Sequence, residues 1–295
     1  MVPPVKHGEI AFLVVAGLIT AVGATATLRS PRQKRPRMVR RRWSRLGDSM
    51  QEALGPVGAF YAVALVSVVP LILLCWPLGA LTRHKPLSTI NERVLHAYDS
   101  GRAHWLTSAM KLLTQMGNWY QIATVAVVAA VIFALVSRSR RWVPPLIILT
   151  TLLGERYLQK VITNITKVHH PPTDLGTYPS GGVARLVAIY GIVGFIALRI
   201  LLGRSQRART GGLWLLALLT WIEIFSRIYL QKHWLFDTVG GLLLGGGILV
   251  VAIVASSLLP WPAAHDAAEP GSLPAETDSG SRLVEAAAAP EGSRV

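Results

Sequence analysis

The chain has 295 residues, of which 52% are hydrophobic and only 15% charged. A water-soluble domain of that length needs more polar surface, so the composition excludes an ordinary soluble fold and makes the bilayer the natural solvent. The formal charge of +15 does not signal nucleic acid. Lys and Arg stand in short clusters between apolar runs, as in positive-inside loops, with no zinc-finger spacing and no basic stretch interleaved with aromatics.

Residues 10–28 form the first apolar run, long enough to cross a bilayer. Lys6 and Glu9 nearly cancel before it, whereas Arg29, Arg32, Lys34, Arg35, Arg37, Arg40, Arg41, Arg42 and Arg45 follow it. That order is the reverse of a cleaved signal peptide. It predicts an uncleaved membrane helix within 1–28 and a basic cytoplasmic segment over 29–56. Six further spans are predicted at about 57–81, 120–136, 142–165, 182–202, 211–230 and 238–259, making a membrane domain of residues 57–260. Arg138, Arg140 and Arg141, and then Arg204, Arg207 and Arg209, fall on the side of the 29–45 cluster if every span crosses once.

The connection from Thr82 to Asn118 then lies outside. Its Val94, Leu95, Trp105, Leu106, Met110 and Leu113 predict short amphipathic helices in the interface, read as a surface lid. Cys75 stands alone in an apolar run and reads as a packing thiol. Gly240, Gly241, Gly245, Gly246 and Gly247 predict close helix packing in the last span. Residues 261–295 are rich in Ala, Pro, Gly and Ser, carry six acidic residues against Arg282 and Arg294, and read as a disordered cytoplasmic tail.

The chemistry-bearing residues gather at span ends on the outer side. Ser226-Arg227 is followed after five residues by His233 and after three more by Asp237. The spacing of four predicts His233 and Asp237 on one helical face, where the carboxylate holds one ring nitrogen and leaves the other free to attack. Lys160, Lys167 and Arg227 supply positive charge. Ser180, with the amides of Gly181 and Gly182 opening a helix, predicts an anion-binding nest. Such a set suits phosphoryl transfer, which needs cations around non-bridging oxygens and an in-line nucleophile. Glu223, four residues before Arg227, predicts a structural ion pair. Tyr178 reads as lining a lipid entrance or as an interfacial anchor. Adjacent His169 and His170 cannot close a metal site alone, so neither metal nor other cofactor is expected.

These residues resemble the three-part signature of the type 2 phosphatidic acid phosphatase (PAP2) superfamily. The pattern SR-x5-H-x3-D is matched in full by Ser226, Arg227, His233 and Asp237. K-x6-RP is matched at Lys160, with Lys167 in place of Arg and Val168 in place of Pro. PSGH reads Pro179-Ser180-Gly181-Gly182, with glycine in place of histidine. The resemblance implies an all-α polytopic membrane protein with a six-helix core, here preceded by one extra N-terminal helix. It also implies a metal-independent lipid phosphatase, in which His233 attacks phosphorus to give a phosphohistidine and Asp237 orients it. Lys160, Lys167, Ser180, Gly181, Gly182 and Arg227 would hold the phosphate.

In the family the motif-two histidine is the general acid that protonates the leaving oxygen. General acid catalysis is worth about 10²–10⁴-fold, and an alkoxide leaving a monoester needs it far more than a phosphate leaving a diphosphate. Gly182 therefore tilts the expectation toward a diphosphate such as a polyprenyl diphosphate. His169 or His170 is the other source of that proton. The rival reading is a catalytically weak member that binds lipid phosphate as a scaffold; a transporter would place its charges near the bilayer midplane instead. The expected partners are a lipid phosphate and the bilayer, with no nucleic acid, in a bacterial inner membrane with the site on its outer face. Nothing in the sequence sets the oligomeric state.

Overall fold

The computed structural model describes residues 37–85, 87–97, 103–137, 140–167, 176–201 and 205–261. The expected span within 1–28, His169, His170 and the tail beyond Trp261 lie outside them. Every regular element among the described residues is helical. Helix α1 covers Arg37–Val66 and breaks at Gly55 (φ 70°, ψ 169°), which precedes Pro56. It leads into α2, Val68–Leu81. The connection that follows holds α3, Leu87–Ala97, α4, His104–Leu113, and a 3-10 turn at Thr114–Gly117. Then come α5, Trp119–Val136, α6, Val143–Thr166, α7, Gly181–Ile200, α8, Gln206–Tyr229, and α9, Leu235–Ser256. Within α7, Leu186–Tyr190 form a π turn.

Among the described residues, five stretches are long and apolar enough to cross a membrane: Leu46–Leu81, α5, α7, α8 and α9. Helix α6 has 24 residues but interrupts its apolar sequence with Glu155, Arg156 and Lys160. It still packs inside the bundle through Ile147, Ile148, Leu152, Leu158 and Ile162, at the position of the expected 142–165 span. The protein is an all-α, multi-pass integral membrane protein. Leu65, Val66, Leu73, Val131, Leu135 and Val250 remain exposed, as side chains facing lipid do.

Apolar burial drives helices together weakly in lipid, so close packing carries more of the association. Helix α9 shows how. A Cβ on Gly241 would come within 2.5 Å of the Ser180 carbonyl oxygen, and one on Gly245 would enter the backbone of Ala184. Glycine lets α9 lie directly on the start of α7, and the Ser180 amide donates to the Asp237 carbonyl at 2.8 Å. Tyr178 differs from expectation. It is 1% exposed, donates its hydroxyl to the Cys75 carbonyl at 2.6 Å and packs on Gly79 and Gly240. Its phenol finds its partner inside the bundle, so it is a core residue and neither an entrance nor an anchor.

The lid helices dock on the end of the bundle. Met110 clusters with Ile228 and Tyr229, and the Asn91 side-chain oxygen accepts from the Phe236 amide at 3.2 Å. This places the 3-10 turn beside the last turn of α8.

Candidate active site

At this end of the bundle lies a pocket of ≈ 330 Å³. A polar stripe on α6 lines it: Arg156, Gln159, Lys160, Thr163 and Asn164. Their spacing of i, i+3, i+4, i+7 and i+8 gives one continuous helical face. This face is what interrupts the apolar sequence of α6. Only Lys160 of the five belongs to a recognised motif, although the periodicity of all five is in the sequence.

The lining also includes His233, Gly176 and Thr177 and, from the start of α7 and the end of α8, Gly181, Gly182, Arg185 and Arg227. Lys160, Gly181, Gly182, Arg227 and His233 are thus brought together. Lys167 is not among the lining residues: it caps α6 in the left-handed conformation (φ 45°) and is exposed. Ser180 is fully buried just before α7, and its hydroxyl finds no hydrogen-bond partner among the described residues.

His233 and Asp237 meet differently from the expected shared helical face. Helix α8 ends at Tyr229, Gln231 turns the chain at φ 55°, and His233 stands in the connection before α9. Only Asp237 is helical. Its carboxylate accepts from the Trp234 amide at 3.1 Å, satisfying a donor that the start of a helix leaves open. The same oxygen is 3.6 Å from His233 Nδ1, within ion-pair reach but longer than a hydrogen bond. Gly176 closes over the imidazole, with no room for a side chain there, and its amide donates to the Lys232 carbonyl.

Burial, followed by the charges of Arg227, Arg185 and Lys232, pushes His233 down to about 3. A depressed value favours the neutral ring, so His233 is uncharged at neutral pH, the form a nucleophile needs. In an NMR titration of the histidines, with His233→Asn for assignment, this imidazole should stay neutral as pH falls from 7 to about 5, where an unperturbed ring protonates. A midpoint near 6.5 would contradict that environment.

Arg227 is held from three sides. Nε donates to Glu223 Oε1 at 2.7 Å, while Nη2 donates to Asn118 Oδ1 at 3.1 Å and to the Thr114 carbonyl at 3.3 Å. The guanidinium lies against Gly182: a Cβ there would sit 2.6 Å from Arg227 Cζ. Glycine at this position is therefore the room that Arg227 occupies. Gly182→His is expected to lower phosphate-release activity by at least about tenfold, by forcing Arg227 off Glu223 and Asn118. A gain in activity would show that Arg227 can give way.

Arg185 went unnoticed in the sequence. It is buried, lines the pocket, and lies 3.8 Å from Glu155 on α6. Its Nε donates to the Gly117 carbonyl at 3.4 Å. The Trp119 ring lies under Arg156 at 4.7 Å and near Arg185 at 6.0 Å. The lid thus fixes both buried arginines through Thr114, Gly117 and Asn118, a larger role than a surface cover. An Arg isolated in an apolar run was the available signal.

Residues 160–259 match the family model described as the PAP2 superfamily. That stretch, about a third of the chain, is similar to the PAP2 superfamily. The matched stretch runs from Lys160 past the end of α9 and contains Ser180, Gly181, Gly182, Arg185, Arg227, His233 and Asp237. The fold is similar to the crystal structure of the first transmembrane PAP2 type phosphatidylglycerolphosphate phosphatase from Bacillus subtilis, with a TM-score of 0.58 and 20% identity over 66% of this chain and 98% of that one. Comparison with curated proteins gives no match. Thr114, Asn118, Trp119, Glu155 and Arg156 precede the matched PAP2 stretch, yet the structure packs them around its pocket.

Proposed function

We propose that the protein is an integral membrane phosphatase that hydrolyses a lipid phosphate or polyprenyl diphosphate through a phosphohistidine on His233, without a metal ion. The observation that carries this reading is the convergence of a buried, neutral His233 with Lys160, Arg227 and the first residues of α7 on one pocket. The PAP2 match and a similar fold in a phosphatase support it.

The free imidazole nitrogen attacks phosphorus, the P–N bond forms, and the bond to the leaving oxygen breaks. Asp237 stabilises the imidazolium so produced. Lys160, Arg227, the Gly181 and Gly182 amides and Ser180 offset charge on the non-bridging oxygens. Water then attacks the phosphohistidine, releasing inorganic phosphate and restoring the neutral ring. At position 182 no side chain can protonate the leaving oxygen, which favours a diphosphate, whose leaving group is itself a phosphate. The positive-inside clusters support a site on the outer face of the membrane, and the short loops and lone cysteine favour a bacterial inner membrane.

The test is phosphate release by the purified protein from a prenyl monophosphate and the matching diphosphate. The diphosphate should be hydrolysed at least about tenfold faster, the lower end of the general-acid effect. Faster monoester hydrolysis would overturn the diphosphate preference, and no release from any lipid phosphate would leave the scaffold reading. His169→Ala with His170→Ala should retain activity; its loss would make that pair the proton source.

A further inference from the structure

The first two residues of α7 are both glycine, and a different guanidinium occupies the side-chain space of each. A Cβ on Gly181 would lie 2.9 Å from Arg185 Nη1 and 3.2 Å from Nη2; one on Gly182 would lie 2.6 Å from Arg227 Cζ. Each arginine is backed by a fully buried glutamate from a membrane helix, Glu155 for Arg185 and Glu223 for Arg227. Each also donates to a carbonyl of the 3-10 turn, Arg185 to Gly117 and Arg227 to Thr114. Two equivalent forks therefore flank the pair of glycines that opens α7.

The two forks differ in commitment. Arg227 Nε is bound to Glu223 at 2.7 Å, and Nη2 is shared between Asn118 and Thr114. Arg185 stands 3.8 Å from Glu155, and neither Glu155 oxygen has a hydrogen-bond partner among the described residues. A guanidinium carries five N–H donors, and Arg185 donates to the Gly117 carbonyl through Nε. Its outer nitrogens lie against Gly181 in the pocket, beside Arg156. The lining includes Arg156, Lys160, Arg185 and Arg227 and no carboxylate. One phosphoryl group, held by Lys160, Arg227 and the α7 amides, leaves the charges of Arg185 and Arg156 in the pocket with no lining carboxylate to match them. A second phosphoryl group supplies the matching charge.

We propose that Arg185, positioned by Glu155, binds the second phosphate of a diphosphate substrate and makes the site selective for diphosphates over monophosphates. This rests on the phosphatase reading above. Arg185 touches substrate, while Glu155 acts through it as a positioning residue. The geometry suits a bidentate guanidinium–phosphate contact, which a lysine ammonium cannot reproduce.

The experiment measures kcat and KM for a fifteen-carbon prenyl monophosphate and diphosphate. In parallel it measures the thermal stabilisation of the same detergent-solubilised protein by inorganic pyrophosphate and by phosphate. For Arg185→Gln, the diphosphate-to-monophosphate ratio of kcat/KM should fall at least about tenfold, the scale of a hydrogen bond to a charged group. The extra stabilisation by pyrophosphate should disappear. Arg185→Lys should lower the same ratio while keeping the charge, and it decides the matter if the glutamine variant does not fold. Glu155→Gln should raise KM for the diphosphate more than it lowers kcat. An unchanged ratio in both Arg185 variants, or equal losses on both substrates, overturns the proposal. If the wild type hydrolyses neither lipid, the phosphatase reading fails. The pyrophosphate arm still judges Arg185: stabilisation equal to that by phosphate, or equal in wild type and variant, overturns its role as well.

Discussion

His233→Ala should abolish phosphate release, lowering kcat by about 10⁴-fold or more, because a covalent route cannot proceed without its nucleophile. The substitution removes a ring already held neutral and buried against Gly176, so the protein should remain folded and keep binding phosphate. The measurement is single-turnover phosphate release, with acid-labile labelling of the protein as the direct sign of the phosphohistidine. Labelling should be present in the wild type and absent in the variant. Residual activity within tenfold of wild type would end the phosphohistidine mechanism. Asp237 should behave differently, since its carboxylate also satisfies the Trp234 amide. Its loss should lower stability as well as rate.

Arg227→Ala should cost both activity and stability. It leaves Glu223 fully buried without its tightest partner, and breaking a buried pair from one side costs about 3–5 kcal/mol. Combining Arg227→Ala with Glu223→Gln should restore most of the stability, because the uncompensated charge is gone, but none of the phosphate binding. Thermal denaturation in detergent and phosphate release together separate the two roles. Recovery of activity in the double variant would mean that Arg227 serves the fold and not the substrate.

The passes of the bundle were legible because a bilayer demands long apolar runs, and such runs are visible without any contact being known. His233, Arg227 and Lys160 were legible because ionisable groups at span ends are costly, and Gly181 because it follows Pro179-Ser180 at the start of an apolar run. The local geometry of His233 was not. A spacing of four suggests one helical face, whereas Asp237 starts its helix just after His233, and helix starts depend on capping contacts. The pairing of Arg185 with Glu155 stayed hidden for another reason. They sit thirty positions apart on different helices, and neither has a neighbour in sequence that gives away its partner. Gly182 was legible as a missing histidine but not as the space for Arg227, which only the packing of α8 on α7 reveals.

The π turn at Leu186–Tyr190 begins at the residue after Arg185. A π turn holds one more residue than an α turn, and one residue is about 100° of helical rotation. The two halves of α7 are therefore out of phase by design of the chain: the first turn aims Arg185 into the pocket, while Ile192 and Ile196 beyond it are aimed into the core. Deleting a single residue from 186–190 would leave the hydropathy of the span and all three motifs intact. It would nevertheless set the core and the pocket in competition for one helical orientation, so the timing of this helix is as much a part of the site as any charged group in it.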